Sequence, residues 1–288
     1  MAENTETALQ LFSRLDAKQS LDGLDKIFFK GLKKELQSGD SVEFYGEEGC
    51  GKTEVLIHFC INCILPKKWN SLDLFGKEAK VVFIDTAYKF PLWRLMGVLE
   101  KRVRYEASNK SIFISTADMN EIMRTCLQRL FLVRCSSSLN LIKTLSHLEK
   151  LFHENADICL LVVDTISEFY WMDRTINGTT RYQQEGLQRS IISKIKKLQE
   201  EFHLLVFVAK SAIMSQTVSS SKTHKDSWDP ADYLSPEWNK FLTYKFVLEK
   251  GLTDLCDKNS SFFIASLTNK PNPYSCKFIV TDSGIQFV

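Results

Sequence analysis

One octapeptide restricts the folds open to this chain more than any other feature. Gly46-Glu47-Glu48-Gly49-Cys50-Gly51-Lys52-Thr53 is a full match to Gly-x4-Gly-Lys-[Ser/Thr]. An apolar run at 42–45 precedes it, and an amphipathic helical pattern at about 52–64 follows it. Strand, glycine-rich loop, then helix is the context in which this pattern binds phosphate. The glycines let successive backbone N–H groups converge on phosphate oxygens. The positive end of the following helix adds to that attraction. Lys52 is placed to reach the β- and γ-phosphates, and Thr53 to ligate Mg2+. The pattern therefore predicts a site for ATP with Mg2+, built from Gly46, Glu47, Glu48, Gly49, Cys50, Gly51, Lys52 and Thr53. A strand-turn-helix that needed its glycines only for tightness would leave the Lys52-Thr53 pair unexplained.

The remainder of the chain supplies the sheet that such a loop requires. Short apolar runs at 42–45, 81–84, 130–133, 159–163 and 204–209 alternate with helical patterns at about 52–64, 92–104, 139–153 and 182–202. Strands apolar on both faces and separated by helices predict an α/β fold with a mainly parallel sheet flanked by helices. Runs at 245–248, 262–267, 277–280 and 285–288 lie close together and are joined by turns, including Asp282-Ser283-Gly284. They predict antiparallel carboxyl-terminal strands that extend the sheet. Before the core, Leu9, Phe12 and Leu15, then Leu21, Leu24, Phe28 and Phe29, suggest two short helices. The expected organisation is an amino-terminal helical arm and linker over 1–39 and an ATP-binding core over 40–288. A flexible loop is expected at 214–237, where the chain is polar and rich in Ser.

Charge and cysteine content exclude several functions. The 37 Lys and Arg against 35 Asp and Glu leave a net charge of +2. A dedicated duplex DNA binder is usually more basic. No apolar run approaches the ~18 residues of a membrane span, and the start of the chain lacks the pattern of a secretory signal. The eight Cys are Cys50, Cys60, Cys63, Cys126, Cys135, Cys159, Cys256 and Cys276. They lie in apolar stretches without framework spacing, which predicts buried thiols in a reducing compartment, cytosol or nucleus.

Two further strands end in carboxylates. Leu160-Leu161-Val162-Val163-Asp164 has the Walker B form, in which the carboxylate holds the metal. Asp164 is thus the expected second metal ligand beside Thr53. Val81-Val82-Phe83-Ile84-Asp85-Thr86 is a similar strand whose end is expected beside the nucleotide.

Taken together, these strands resemble the RecA-like recombinases and their eukaryotic paralogues. The lead-in Ser20-Leu21-Asp22-Gly23-Leu24-Asp25 and the runs Phe83–Thr86 and Leu161–Asp164 carry the resemblance, which covers most of residues 20–280. Smaller pieces, Cys63-Ile64-Leu65-Pro66-Lys67, Cys135-Ser136-Ser137-Ser138 and Phe169-Tyr170-Trp171-Met172-Asp173-Arg174, are similar to a short paralogue that lacks an amino-terminal DNA-binding domain. Only 45 residues precede Gly46 here, room for an arm but not for such a domain. The resemblance implies that Arg94 stacks on the adenine. It also implies a nuclear, heteromeric complex with other recombinase paralogues, acting on single-stranded or branched DNA in homologous recombination.

The chain departs from the active pattern at two places. Where active recombinases carry a Glu that activates water, this chain has Ala87, which can neither orient nor deprotonate water. Where they carry a γ-phosphate-sensing Gln, it has Ser211. Little intrinsic ATPase is expected, with Glu168 the nearby carboxylate that could substitute. Thr5 precedes Ala8 where self-polymerising relatives carry an aromatic. Residues 171–181, with Arg174 and Arg181, stand where the family's first DNA-facing loop lies. The competing readings are a small-molecule P-loop kinase, which would need a lid bearing several Arg near 120–150 where the chain offers only Arg124, Arg129 and Arg134, the last in an expected strand, and an active DNA-dependent ATPase, which Ala87 and Ser211 argue against.

Overall fold

β1 (Ser41–Gly46) is buried along its whole length and stands near the middle of a nine-stranded sheet. The computed structural model describes residues 7–8, 21–176, 181–212, 233–251, 262–268 and 274–288. β1 is followed by α1 (Lys52–Ile64), a small hairpin of β2 (Lys68–Trp69) and β3 (Leu72–Asp73), and β4 (Lys80–Asp85). Then come α2 (Leu92–Asn109), α3 (Thr116–Gln128), β5 (Leu130–Arg134), α4 (Ser138–Glu154) and β6 (Ile158–Asp164). α5 (Tyr170–Ile176), α6 (Arg181–Phe202), β7 (Leu205–Ser211) and α7 (Pro236–Phe241) follow. The chain closes with β8 (Tyr244–Gly251), β9 (Phe262–Leu267), β10 (Tyr274–Thr281) and β11 (Gly284–Phe287).

The sheet order is β11-β10-β9-β8-β1-β7-β6-β4-β5. From β5 across to β8 the neighbours are parallel, and from β8 to β11 they are antiparallel. The expected architecture is thus present, with one correction. The run at 245–248 was expected to be antiparallel, yet β8 pairs parallel to β1, Val42 facing Tyr244 and Tyr45 facing Val247. The chain crosses back through α7 before entering β8, and such a crossover returns a strand in the same direction.

Each sheet face covers its own apolar layer. One layer holds α1, α2, α3 and the segment 21–36. The other holds α4, α6 and α7. Phe28 lies within 6.3 Å, centroid to centroid, of Phe29, Phe44, Phe59, Phe246 and Phe287. Burying a ring of this kind contributes roughly 1.5–3 kcal/mol. The pattern Leu21, Leu24, Phe28 and Phe29 therefore predicted burial correctly but helix wrongly. The segment is a series of turns. Gly23 takes a positive φ of 63°, and the Asp25 carboxylate accepts the N–H groups of Ile27 and Phe28 at 3.0 and 2.8 Å, side-chain bonds that compete with a helix. Residues 21–36 belong to the core rather than to an arm. The pattern at Leu9, Phe12 and Leu15 lies outside the described residues.

Two other expectations change. Of the span 214–237, residues 214–232 lie outside the described residues, while 233–237 are described. Tyr233 is buried and donates to the Ser211 carbonyl at 2.5 Å, and Pro236 opens α7, whose Trp238 is 1% exposed. Residues 171–176 form a helix, not a loop. Tyr170 packs edge-on against Tyr233, and exposed Trp171 carries the Arg174 guanidinium 5.5 Å from its ring. Residues 177–180 and the side chain of Arg181 lie outside the described set.

A charged cluster is buried under β1. Glu43 and Lys210 are both 0% exposed, with Lys210 Nζ 3.6 Å and Lys245 Nζ 3.8 Å from the Glu43 carboxylate. The Trp238 indole N–H donates to the same carboxylate. Buried ions of this kind persist only when paired and hydrogen-bonded.

Candidate nucleotide-binding site

The parallel strands place the ends of β1, β4, β6 and β7 along one edge, where open α/β sheets bind ligands. Register aligns Gly46 with Ser211 and Asp85 with Asp164. The result is an open cleft of about 600 Å3, whose lining includes Lys52, Thr53, Asp85, Ala87, Asp164 and Ser211.

The loop between β1 and α1 is shaped by its glycines. A side chain at Gly46 would put a Cβ 2.4 Å from the Leu248 carbonyl oxygen and 2.6 Å from Cys50 Sγ, closer than atoms pack. Gly49 and Gly51 have φ of 79° and 89°, and Gly51 caps α1 in this left-handed conformation. Glu47 and Glu48 project to solvent, Glu48 lying 4.0 Å from Lys89 at the rim. Cys50 is buried behind the loop, 3.7 Å from Lys52 Nζ, and burial pushes its thiol pKa up. Lys52 is 8% exposed, and its ammonium donates to the carbonyls of Gly46 and Glu47 at 2.8 and 2.6 Å.

Thr53 and Asp164 are 111 residues apart in sequence and meet here, Thr53 Oγ1 donating to Asp164 Oδ2 at 2.8 Å. Thr165 Oγ1 donates to the other carboxylate oxygen at 2.8 Å. Burial raises the Asp164 pKa above its ordinary value, and the hydrogen bonds from Thr53 and Thr165, with the charge of Lys52, oppose that rise only in part. A half-buried carboxylate left short of positive charge, beside a hydroxyl, is a hard oxygen donor set that fits Mg2+. Five carboxylates and two ammonium groups line the cleft, so an anionic polyphosphate needs an accompanying cation to enter it.

The second carboxylate strand behaves differently from Asp164. Asp85 does line the cleft, but β7 and β6 separate its strand from β1. Its oxygens accept the N–H groups of Lys89 and Phe90 at 3.2 and 3.0 Å, so it shapes the turn after β4. Thr86 adds a link that the sequence pattern did not signal. Its hydroxyl donates to the Thr165 carbonyl at 2.9 Å and accepts the Thr165 N–H at 2.7 Å, tying the ends of β4 and β6 together.

Ala87 lies on the cleft wall, as do Ser211 and the exposed Glu168. The Ser211 N–H donates to Ser167 Oγ at 3.0 Å. Arg94 is not among the lining residues. It forks onto Glu54, the residue after Thr53, at 3.1–3.3 Å and donates to the carbonyls of Thr281 and Asp282 at 2.5 and 3.1 Å. These bonds use the edges of the guanidinium. Phe263 and Val280 complete the wall from β9 and β10. Nothing in the local sequence of the loop could have pointed to them, because they arrive from more than 200 residues away.

Among the described residues, the Arg lid of a small-molecule kinase is not assembled. Arg129 donates to the Ile64 carbonyl at 2.9 Å, Arg134 lies 4.0 Å from Asp85 and over the Tyr88 ring, and neither they nor Arg124 lines the cleft. The seven described cysteines are buried and none forms a disulfide, and Cys256 lies outside the described set. No described helix is long and apolar enough to cross a membrane.

Comparison with known proteins agrees with the fold. The Rad51 family profile matches residues 19–232. The chain is 33% identical over 290 residues to DNA repair protein XRCC2 of Mus musculus, covering 98% of this chain and 97% of that protein. It is 24% identical over 260 residues to the DNA repair protein XRCC2 homolog of Arabidopsis thaliana, covering 75% and 70%. It is 26% identical over 227 residues to DNA repair protein RAD51 homolog 2 of Homo sapiens, covering 78% and 53%. With the glycine loop, the Thr53–Asp164 pair and the parallel sheet in place, the match across most of its length assigns this chain to the Rad51 family of RecA-like proteins.

Proposed function

We propose that the chain is a non-filament-forming recombinase paralogue, an ATP-binding subunit of a heteromeric nuclear complex that supports homologous recombination repair of double-strand breaks and stalled forks. Lys52, the N–H groups of residues 46–53 and the α1 terminus would hold the phosphates, and Thr53 and Asp164 would hold Mg2+. Bound Mg2+ supplies charge neutralisation across the β- and γ-phosphates. Arg94 would stack on the adenine with Glu54 fixing its plane.

The observation that carries this reading is the pairing of an intact metal-and-phosphate constellation, Thr53 on Asp164 at 2.8 Å beside Lys52, with Ala87 on the wall of the same cleft. A group that positions water contributes typically 10²–10⁴-fold to a rate, and Ala87 supplies none. Binding without turnover suits a subunit whose nucleotide shapes an assembly. The names of the mouse and Arabidopsis relatives, both DNA repair proteins, support the repair context. The near-neutral charge suits DNA contact made mainly through the complex, on single-stranded or branched DNA.

Co-expression with Rad51-family paralogues tests the assembly. The full chain is expected to co-elute with at least one paralogue on gel filtration, and Lys52→Ala is expected to weaken nucleotide binding while keeping that co-elution. Failure to associate with any paralogue, or loss of association in Lys52→Ala, would count against a scaffold subunit.

A further inference from the structure

A second cluster of ligating side chains lies at the opposite edge of the sheet. Glu149 and His153 are one turn apart on α4, and Glu201 is near the end of α6. One ligand atom from each lies within 4.8 Å of the others, the only such trio of His, Cys or carboxylate groups among the described residues. α4 and α6 each lead into a parallel strand, β6 and β7, so both helices end at the amino edge of the sheet, away from the nucleotide cleft.

We propose that Glu149, His153 and Glu201 bind a divalent transition-metal ion, with zinc the best match. The imidazole nitrogen His153 Nε2 is buried and makes no hydrogen bond, yet faces Glu201 Oε1 at 3.5 Å. That separation is too long for a charge-assisted bond, normally about 2.7–2.9 Å. It is close to the spacing of two ligands on one tetrahedral ion, about 3.4 Å for bonds of about 2.0–2.2 Å. The ring is held by Phe202, edge-on at 4.9 Å between centroids, so its aim is set by packing. One imidazole with two carboxylates suits zinc, with water completing the shell.

The surroundings already attract a cation. Two helix carboxyl termini converge on the trio, and their partial negative charge favours positive ions. The Lys197 ammonium takes part of that place, donating to both Glu149 oxygens at 3.1 and 3.0 Å and lying 3.9 Å from Glu201. It rides on a long, mostly exposed side chain that can swing to solvent. A metal would therefore displace Lys197 and clamp α4 to α6, independently of the nucleotide site.

The test is calorimetric titration of the EDTA-treated full chain with zinc chloride, alongside thermal melts. The expected result is one saturable site that raises the melting temperature. His153→Ala and Glu149→Gln are each expected to weaken it by about tenfold or more, and Lys197→Met to tighten it by removing the competing ammonium. All three positions are partly exposed, and circular dichroism verifies each variant's fold; should one not fold, the other two carry the comparison. Zinc binding unchanged in the folded ligand variants would place the ion elsewhere and overturn the proposal. So would the lack of saturable binding in the unmodified chain.

Discussion

In the proposed function, Asp164 sets stability against binding at a single carboxyl group. Burial raises its pKa, so between the ordinary value of 3.8 and the raised one the folded chain keeps a proton that the unfolded chain has released. Stability contributed here is therefore fully present below that window and falls as pH rises through it. Asp164→Asn removes the charge and the fall with it. We predict that the variant, free of metal, is more stable at neutral pH by about 1 kcal/mol, with a higher melting temperature, and no longer shows Mg2+-dependent nucleotide binding. Melts in EDTA at pH 4 and pH 7.5 check the first part, and nucleotide titration with and without Mg2+ checks the second. Ala87 gives the converse prediction. Ala87→Glu is expected to raise ATP turnover by about 10²-fold or more, because it returns a carboxylate to the cleft wall. A single-turnover phosphate-release assay reads this directly. At this scale the loop residues and Asp164 were legible because each is bound to a local pattern, glycines before Lys-Thr and an apolar strand before Asp. The Thr86–Thr165 link and the Phe263 wall were not, because they depend on strands meeting across the sheet.

Among the elements, the segment 21–36 shows how burial and conformation separate. Its apolar spacing matched a helix, but Asp25 and Gly23 direct the backbone into turns while the same side chains stay buried. Phe28→Ala would leave a cavity among five rings and is expected to cost about 3–5 kcal/mol in denaturant unfolding. α3 escaped the sequence reading for a related reason. Only Met119, Ile122 and Cys126 of its residues are buried, a thin stripe for periodicity to detect. Ser115, whose hydroxyl accepts the Asp118 N–H at 3.1 Å, was the available sign of its start. β8 was legible as a strand but not in direction, since direction follows from the crossover rather than from its residues. Glu43 in the middle of an apolar strand was a visible anomaly whose partners, Lys210, Lys245 and Trp238, were not. Trp238→Phe keeps the packing but removes the indole donor to that buried carboxylate. It is expected to cost about 1–3 kcal/mol, measured by the same unfolding series.

At the scale of the whole molecule, the sheet brings Lys52, Thr53 and Asp164 to one edge, in a cleft whose wall carries Ala87, and the proposed function reads this as a phosphate and metal site without its usual water-activating Glu. The net charge of +2 gives the isolated chain little long-range attraction for DNA, which is consistent with the proposal that any DNA contact is made mainly through a complex. The central claim is therefore binding without turnover. It is tested most directly by measuring, on one preparation of the isolated full chain, Mg2+-dependent ATP binding by calorimetry and ATP hydrolysis with and without single-stranded DNA. The account predicts saturable binding that EDTA or Lys52→Ala removes, with hydrolysis that stays at background when DNA is added. Robust DNA-stimulated hydrolysis by the isolated chain, abolished by Lys52→Ala, would contradict it.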